Sequence, residues 1–288
     1  MKFGRMFANV GPFGQPEGLT HLAQTAESVG VESLWTVEHV VVPKGYASQY
    51  PYSRDGKMPG SEENPIPDPY VWLAYAAAVT KTIKLATGII ILPQRNPVIL
   101  AKELASVDVV SGGRLLFGLG AGYLQPEFDA IGAPFDDRGP RTSEAIEVVR
   151  TLWTQESPHF DGRFWSFRGI QTRPMPVQQP HPPILVGGHS PPAFRRAVSQ
   201  GNGWYGFALD VDATRNCLRG LADAAGTESR PSERGRLEIS VTPSTPLDRD
   251  QVKRFEDLGV DRLVPMMLGG SGDSLIEFVS RTADAVLR

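Results

Sequence analysis

The sequence predicts an α/β protein that folds as a single (β/α)8 TIM barrel with insertions after strand 2 and strand 4. Strand-like and helix-like segments alternate eight times along the 288 residues, which is typical of parallel βα units. Lys84–Leu92 ends in a nearly continuous apolar run, as expected of a strand buried on both faces. The length suits one barrel of about 250 residues with insertions. We therefore predict one domain over residues 1–288, with an open doubly wound sheet as the alternative.

In the first half of the chain, a predicted helix follows each predicted strand. The strands are Lys2–Ala8, Ser33–Val37, Lys84–Leu92 and Leu115–Leu119. The helices repeat apolar residues at helical spacing, and they are Glu17–Val29, Pro69–Thr80, Val98–Val110 and Arg141–Thr154. Gly30 is placed to end the first helix, and Asp68 is placed to cap the start of the second.

The second half repeats this alternation less regularly. Its predicted strands are Pro183–Val186, Gly203–Phe207, Leu237–Val241 and Arg262–Met266. Its predicted helices are Pro192–Ser199, Ala213–Ala225, Arg249–Leu258 and Asp273–Leu287.

Two long segments interrupt the alternation. Val40–Pro67 is polar and rich in proline and tyrosine, and it leaves the carboxyl end of a strand, where barrel active sites lie. Gln155–Pro182 contains alternating aromatic residues around Asp161-Gly162, a pattern that predicts a β-hairpin. Long ordered insertions often form lids or substrate walls, and the alternative for the hairpin is that it only decorates the surface.

Composition and charge exclude several classes of protein. Apolar residues make up 41% of the chain and charged residues 21%, which argues against disorder. A net charge of −3 predicts no nucleic-acid partner. The one cysteine, Cys217, cannot form an internal disulfide or a cysteine-based zinc site. No apolar run reaches the roughly 18 residues of a membrane span, and no signal-peptide pattern begins the chain. We therefore expect a soluble, cytoplasmic protein with no membrane partner.

The carboxyl ends of the predicted strands are poor in catalytic acids and bases. No lysine stands there, which disfavours a Schiff-base enzyme, and no His-x-His pair is present to hold a catalytic metal, so we predict no metal site. His39, beside Glu38, is the one histidine that stands where the long insertion begins, although a lone histidine is more often structural than catalytic. Such a barrel mouth is suited to a cofactor that brings its own chemistry.

Two glycine-rich segments are candidate contacts for a cofactor. Gly118, Gly120 and Gly122 lie at the end of strand 4 and would let the backbone approach a ligand, although the same spacing also makes tight turns. Gly187-Gly188-His189-Ser190 follows strand 5 and leads directly into a predicted helix. A helix N-terminus with a serine hydroxyl is suited to a phosphate, and the alternative is that Ser190 serves only as the N-cap.

Several motifs along the chain recur together in one enzyme superfamily. They are Ser33–His39, Leu85–Ile89, Pro97–Glu103 with Asp108, Gly112–Leu115, Gly118–Gly122, Arg138–Glu144 and Pro183–Gly188. On these residues the chain resembles the bacterial luciferase-like monooxygenases, most specifically over residues 83–155 and less so after Phe207. The resemblance implies a (β/α)8 barrel that binds FMN or coenzyme F420 at its C-terminal mouth.

The resemblance also implies roles for particular residues. Glu38-His39 is similar to the acidic residue–His pair of deazaflavin-dependent oxidoreductases, although that pair often has Asp where this chain has Glu. It implies that both residues are catalytic, with His39 near the reactive edge of the ring as proton donor or orienting group. The family's non-proline cis peptide maps to Gly88-Ile89. The candidate cofactor contacts are Asn9, Thr87, Gly88, Ile89, Gly120, Gly122, Gly187, Gly188 and Ser190.

Three functions are compatible with the resemblance. We favour a coenzyme F420-dependent oxidoreductase that transfers a hydride between the deazaflavin and a small organic substrate. One alternative is an FMN-dependent monooxygenase that uses O2, and a second is a non-catalytic flavin-binding protein of the same fold. Because members commonly dimerise through barrel helices, the resemblance also implies a homodimer, in which the apolar helices after strands 2 and 3 are available to form the interface.

Overall fold

Eight parallel strand positions close into a barrel in the computed structural model, which describes residues 1–53, 55–267 and 272–287. The strands are β1 (Lys2–Arg5), β2 (Ser33–Thr36), β3 (Lys84–Thr87), β4 (Ile90–Ile91), β5 (Leu115–Gly120), β6 (Phe160–Asp161), β7 (Ser166–Phe167), β8 (Ile184–Gly187), β9 (Gly203–Leu209), β10 (Glu238–Pro243) and β11 (Arg262–Leu263). Their order around the barrel is β3-β2-β1-β11-β10-β9-β8-β5, with β4 continuing β3. Pairing of β3 with β5 closes the ring, which confirms the predicted fold class.

Helices follow the strands along the chain. They are α1 (Pro16–Ser28), α2 (Pro69–Val79), α3 (Pro97–Ser111), α4 (Gln125–Ala130), α5 (Arg138–Thr154), α6 (Pro191–Gln200), α7 (Val211–Ala225), α8 (Arg249–Asp257) and α9 (Gly272–Leu287). The predicted cap of α2 is present, because Asp68 accepts hydrogen bonds from the backbone N–H groups of Tyr70 and Val71. Gly112 ends α3 at a φ of 68°, a left-handed conformation that glycine adopts without steric cost.

The inside of the barrel is packed with side chains. Trp35 and Tyr205 stack there with ring centroids 4.9 Å apart. The other buried members of this interior cluster are Met6, Ala86, Leu116, Leu185, Phe207 and Val264. A second and larger apolar layer lies between the strands and the helices. Because the interior is filled, a ligand of the barrel has room only at its mouth.

Gly118 joins β3 to β5 at the point where the barrel closes. Thr87 Oγ1 accepts a hydrogen bond from the Gly118 N–H at 2.9 Å and donates one to the Gly118 carbonyl at 2.7 Å. A Cβ atom on Gly118 would lie 1.9 Å from the backbone carbonyl oxygen of Thr87. The two strands can approach this closely only because position 118 has no side chain.

Several predicted boundaries differ from the structure, and three of the differences are in barrel strands near the first and last elements and the cis peptide. The first strand ends at Arg5 rather than Ala8, because Phe7 turns the chain with a φ of 58°. Lys84–Leu92 divides into β3 and β4 around a cis peptide between Gly88 and Ile89, at the position that the resemblance implied. The last strand ends at Leu263 rather than Met266.

The predicted hairpin is present as β6 and β7, with Phe160 opposite Phe167. It lies against α5, where the Glu144 carboxylate accepts hydrogen bonds from the backbone N–H groups of residues 163, 164 and 165. Asp108 of α3 holds the following loop in the same way through the N–H groups of Val177 and Gln178. Two buried or partly buried carboxylates thus fix this insertion against the helices.

The carboxylate of Glu27 anchors a loop in the same way. From its contacts we predict that the free energy of unfolding falls in acid. Burial acts to raise its pKa, but hydrogen bonds from the N–H groups of Lys81, Thr82 and Ile83 outweigh this effect and lower the pKa from 4.5 to about 2. The stabilisation is therefore complete above about pH 4.5 and is lost as the pH falls towards 2. We expect Glu27→Gln to lower the free energy of unfolding at pH 7 by about 1–2 kcal/mol and to flatten its dependence on pH below 5. Equal acid-unfolding curves for the two proteins would contradict this.

Candidate active site

A cavity of about 700 Å³ opens at the C-terminal mouth of the barrel. Its wall includes residues that follow β1, β2, β3, β5 and β8, residues within β9, and residues of the insertion after β2. The volume lies within the range of about 300–1,000 Å³ that is usual for small-molecule and cofactor sites. No residue of the hairpin insertion lines it, so the hairpin forms no part of the substrate wall.

His39 lies on the cavity wall beside a carboxylate that the sequence analysis did not identify. Its Nδ1 is 3.3 Å from Oε2 of Glu127, which belongs to α4. Glu127 is 1% exposed, and its Oε1 accepts a hydrogen bond of 2.6 Å from the Val40 N–H. With Nδ1 as the donor to Glu127, Nε2 of His39 is left as the proton acceptor of the ring. The pair is therefore a possible proton-transfer group.

Glu38 also lines the cavity but has a different set of partners. Its Oε2 accepts a hydrogen bond of 2.9 Å from the Ile91 N–H, and its Oε1 is paired with the guanidinium of Arg95. Both oxygens are thus used to hold β4 and the turn that follows it. Glu38 and His39 are adjacent in sequence, but the oxygens of Glu38 bind Ile91 and Arg95, whereas Nδ1 of His39 lies beside Glu127.

Gly187, Gly188 and Ser190 also lie on the cavity wall, just before α6. The helix offers fewer free donors than its sequence suggests, because positions 191 and 192 are prolines and the N–H groups of Ala193 and Phe194 bond to the Ser190 carbonyl. The Gly188 N–H donates to the backbone carbonyl of Tyr205. The donors that remain are the Ser190 hydroxyl, which makes no capping bond, and the N–H groups of residues 189 and 190, for which the described part of the chain shows no backbone acceptor.

Arg196 adds a positive charge to this part of the cavity. It lies on the cavity wall one turn after Ala193, and its Nε donates to the Ser143 hydroxyl at 3.0 Å. Among the described residues no carboxylate pairs with it, and burial lowers its pKa, with a smaller contribution from Arg195. A guanidinium on the same cavity wall as the Ser190 hydroxyl and the free N–H groups suits an anionic oxygen such as that of a phosphate. No spacing in the sequence marked Arg196, because residues six positions apart on a helix do not lie on the same face.

His189 is held as a neutral ring in the same region. Its Nε2 accepts a hydrogen bond of 3.1 Å from the Phe207 N–H, which leaves the proton on Nδ1. Burial lowers the pKa of His189 to about 4, so the ring is uncharged at neutral pH. Tyr52 of the first insertion packs on this ring with centroids 4.7 Å apart and also contacts Phe207. The insertion is thereby attached to the cavity wall by aromatic contacts.

Ile89 forms part of the cavity wall and is surrounded by glycines. A Cβ atom on Gly120 would lie 2.2 Å from Ile89 Cδ1, and one on Gly187 would lie 3.1 Å from Ile89 Cγ2. Gly122 similarly gives space to Ile91 and Phe128. These glycines line the cavity, but the space left by their missing side chains is taken by isoleucines and a phenylalanine. Gly120, Gly122 and Gly187 thus remain candidate backbone contacts for a ligand on the cavity wall.

Two predicted cofactor contacts, Asn9 and Thr87, lie outside the cavity wall. Asn9 is fully buried, and its amide bonds to the backbone of Val37 and Pro67 at both ends of the first insertion. Thr87 is bonded on both sides to Gly118. Both are structural in this arrangement, because every polar atom of their side chains is already used.

Two kinds of feature are absent from the described part of the chain. No group of three or more His, Cys, Asp or Glu side chains in residues 1–53, 55–267 and 272–287 is arranged to hold a metal ion. No helix in these same ranges combines the length and the apolar character needed to cross a membrane.

Comparison with known proteins identifies the family. A family model described as luciferase-like monooxygenase matches residues 3–256. An uncharacterized protein of Mycobacterium tuberculosis is 32% identical over 276 residues, which cover 94% of this chain and 95% of that protein. The crystal structure of the monooxygenase RslO1 from Streptomyces bottropensis is similar over 100% of this chain and 99% of that one, with a TM-score of 0.77 and 25% identity. An F420-dependent secondary alcohol dehydrogenase, solved with an F420–acetone adduct, shares the fold over 99% of this chain and 98% of that one, with a TM-score of 0.75 and 17% identity. The chain belongs to the luciferase-like monooxygenase family, and it is an oxidoreductase of that family.

Proposed function

We propose that the protein is a coenzyme F420-dependent oxidoreductase that transfers a hydride between the deazaflavin and a small organic substrate. The observation that carries the proposal is the His39–Glu127 pair on the wall of the cavity. Removal of a hydride from a hydroxyl-bearing carbon requires that the hydroxyl lose a proton, and an imidazole fixed by a carboxylate can take it. The reverse reaction requires the same group to return the proton.

The residues present fit such a cofactor. Arg196, the Ser190 hydroxyl and the free N–H groups before α6 would hold its phosphate, and the neutral His189 ring would offer a further donor through Nδ1. Ile89 would support the ring system as an apolar contact. Bound deazaflavin would supply the carbon that accepts or donates the hydride. Tyr50 and Tyr52 would exclude water, because both line the cavity and pack on its wall.

The second candidate is an FMN-dependent monooxygenase. It is favoured by the apolar part of the wall, which includes Phe7, Ile89 and Phe207, because reduced flavin that reacts with O2 needs protection from water. The similarity to the monooxygenase RslO1 over the whole chain supports it as well. Both candidates can use the His39–Glu127 pair as a base, and F420 is preferred because Glu38-His39 is similar to the acidic residue–His pair of deazaflavin-dependent oxidoreductases.

Titration of the purified protein with coenzyme F420 and, in parallel, with FMN tests the proposal. We expect quenching of the cofactor's fluorescence to show binding of F420 at least tenfold tighter than that of FMN. Tighter binding of FMN would contradict the F420 proposal and support the monooxygenase. Absence of binding by either cofactor would contradict both candidates.

Gly188→Asp should abolish cofactor binding. Gly188 has a φ of 120°, and a Cβ atom there would lie 3.0 Å from Ala193 Cβ, so the new carboxylate would crowd and repel the cofactor phosphate. Each lost contact to a charged oxygen costs about 1.5–3 kcal/mol, and we expect cofactor affinity to fall at least about 100-fold. Gly169→Asp is the matched control, because Gly169 also has a positive φ but a Cβ atom there would meet no other atom within 4 Å. Unchanged affinity in a folded Gly188→Asp protein would refute the phosphate assignment.

We also propose that the protein is a homodimer that buries α2 and α3. The α2 sequence contains no charged residue, and Val71 is 70% exposed on it. Ile99 and Val110 of α3 are 60% and 63% exposed. A helix that is apolar all round is usually covered on every side. In an isologous dimer, the same face of a second copy of this chain covers it.

Val71→Glu and Ile99→Glu should each convert the dimer to a monomer, because a buried unpaired charge opposes association. Light scattering after size exclusion measures the change, and Asn216→Glu on the exposed face of α7 is the control. A monomeric wild-type protein would contradict the proposed dimer.

A further inference from the structure

Three arginines are almost completely buried in the described part of the chain, and two of them are fully paired. Arg262 is bonded to the carboxylates of Glu32 and Glu238 at the base of the barrel. Arg114 has no carboxylate, but its guanidinium donates to carbonyl oxygens at positions 77, 80, 83 and 111 and to the Thr80 hydroxyl. These two show the usual ways in which a protein compensates a buried guanidinium.

Arg5 is the third, and it lacks both kinds of compensation. It is 2% exposed, and its one hydrogen bond to a described residue runs from Nη1 to the Met6 carbonyl. Its Nε is buried without a partner, and no carboxylate in residues 1–53, 55–267 and 272–287 pairs with it. Burial alone lowers its pKa to about 10, so it carries its charge at neutral pH. A buried and uncompensated charge costs stability.

Arg5 also lines the cavity. Its guanidinium lies 5.5 Å from the centre of the Phe278 ring, and Phe7 and Phe13 line the same cavity. The cofactor phosphate has a separate arginine, Arg196, among its proposed donors. Arg5 is therefore left as the cation for a different anionic group, carried by a molecule with an apolar body.

We propose that Arg5 binds a carboxylate of the substrate, which narrows the substrate class to small apolar organic acids. The substrate role rests on the proposed function, but the presence of an anion site at Arg5 does not. A planar guanidinium with free N–H groups matches the two oxygens of a carboxylate. The apolar neighbours remove water and strengthen that pairing.

The first test compares melting temperatures of the ligand-free protein. Because Arg5 is an uncompensated charge in our proposal, we expect Arg5→Met to melt at least about 2 °C higher than the wild type. Arg114→Met is the matched variant and should melt lower, because it leaves several buried carbonyl oxygens without donors. If Arg5→Met melts lower as Arg114→Met does, Arg5 is structural and the proposal fails. This outcome does not depend on any cofactor.

The second test measures binding by calorimetry to protein saturated with F420, or with FMN if that binds instead. The probes are benzoate, phenylacetate and hexanoate, each compared with its neutral amide. We expect at least one acid to bind more tightly than its amide, with Arg5→Gln weakening it about 10- to 100-fold and Arg168→Gln, at an exposed position, leaving it unchanged. No preference for any acid, or a loss of cofactor affinity in Arg5→Gln with acid binding unchanged, would overturn the proposal. Failure of both cofactors to bind would instead refute the proposed function, and the melting comparison would still decide the role of Arg5.

Discussion

Replacing His39 with alanine should lower the single-turnover rate of hydride transfer about 10²–10⁴-fold, the usual contribution of a positioned general acid or base. The affinity for the cofactor should change far less, because the proposed phosphate donors lie between β8 and α6 and on α6 and remain intact. Rapid mixing of the cofactor-loaded enzyme with substrate measures the rate, and fluorescence titration measures the affinity. An unchanged rate at saturating cofactor would reduce His39 to a structural residue.

Glu127→Gln separates positioning from proton transfer at the same site. The amide can still accept the hydrogen bond from the Val40 N–H, but it brings no negative charge to His39. We expect a rate loss of about tenfold, because the ring of His39 loses the carboxylate that holds it as a proton acceptor. An unchanged single-turnover rate in Glu127→Gln would make Glu127 a purely structural residue.

Gly118→Ala should have the largest effect on stability. Its Cβ would lie 1.9 Å from the Thr87 carbonyl oxygen, and backbone atoms in two paired strands cannot move apart without breaking the hydrogen bonds that close the barrel. Overpacking usually costs about 1–3 kcal/mol, and for a backbone clash we expect a loss of at least about 3 kcal/mol in the free energy of unfolding. Chemical denaturation followed by circular dichroism measures it.

Gly120→Ala provides the control on the same strand. Its Cβ would meet the end of the Ile89 side chain, at Cδ1, which can rotate away. We expect this variant to fold with a smaller loss of stability and to show weaker cofactor binding, because Ile89 would then move within the cavity wall. A Gly118→Ala protein as stable as Gly120→Ala would contradict the proposed reason for the glycine.

The elements that the sequence predicted well are those with a strong period or a clear turn signal. The barrel strands and the hairpin around Asp161-Gly162 are examples, since their patterns depend on neighbouring residues. The strand ends were less predictable. Nothing in the residue types shows that Phe7 takes a positive φ, and the break between β3 and β4 followed from the family resemblance, not from the apolar run of Lys84–Leu92.

Within the site, several residues at strand ends, such as His39 and Gly188, line the cavity as expected, whereas residues that reach it from elsewhere were not predicted. Glu127 lies in a helix of six residues, too short to show an amphipathic period, and its pairing with position 39 spans 88 positions. Arg5 lies inside a predicted strand, where sequence alone does not distinguish a cavity wall from the core. Asn9 and Thr87 were expected at the cavity because their strands end there, but local hydrogen bonds turn both side chains to the backbone.

The four carboxylates of Glu27, Asp108, Glu127 and Glu144 hold their loops through backbone N–H groups. Such carboxylates bind the backbone and not the side chains of a loop, because every residue except proline presents the same N–H donor. Loop sequences near the mouth and along the outer helices can therefore diverge while their attachment to the scaffold is preserved. For protein engineering, this makes the loops exchangeable units whose one strict requirement is the absence of proline at the anchored positions.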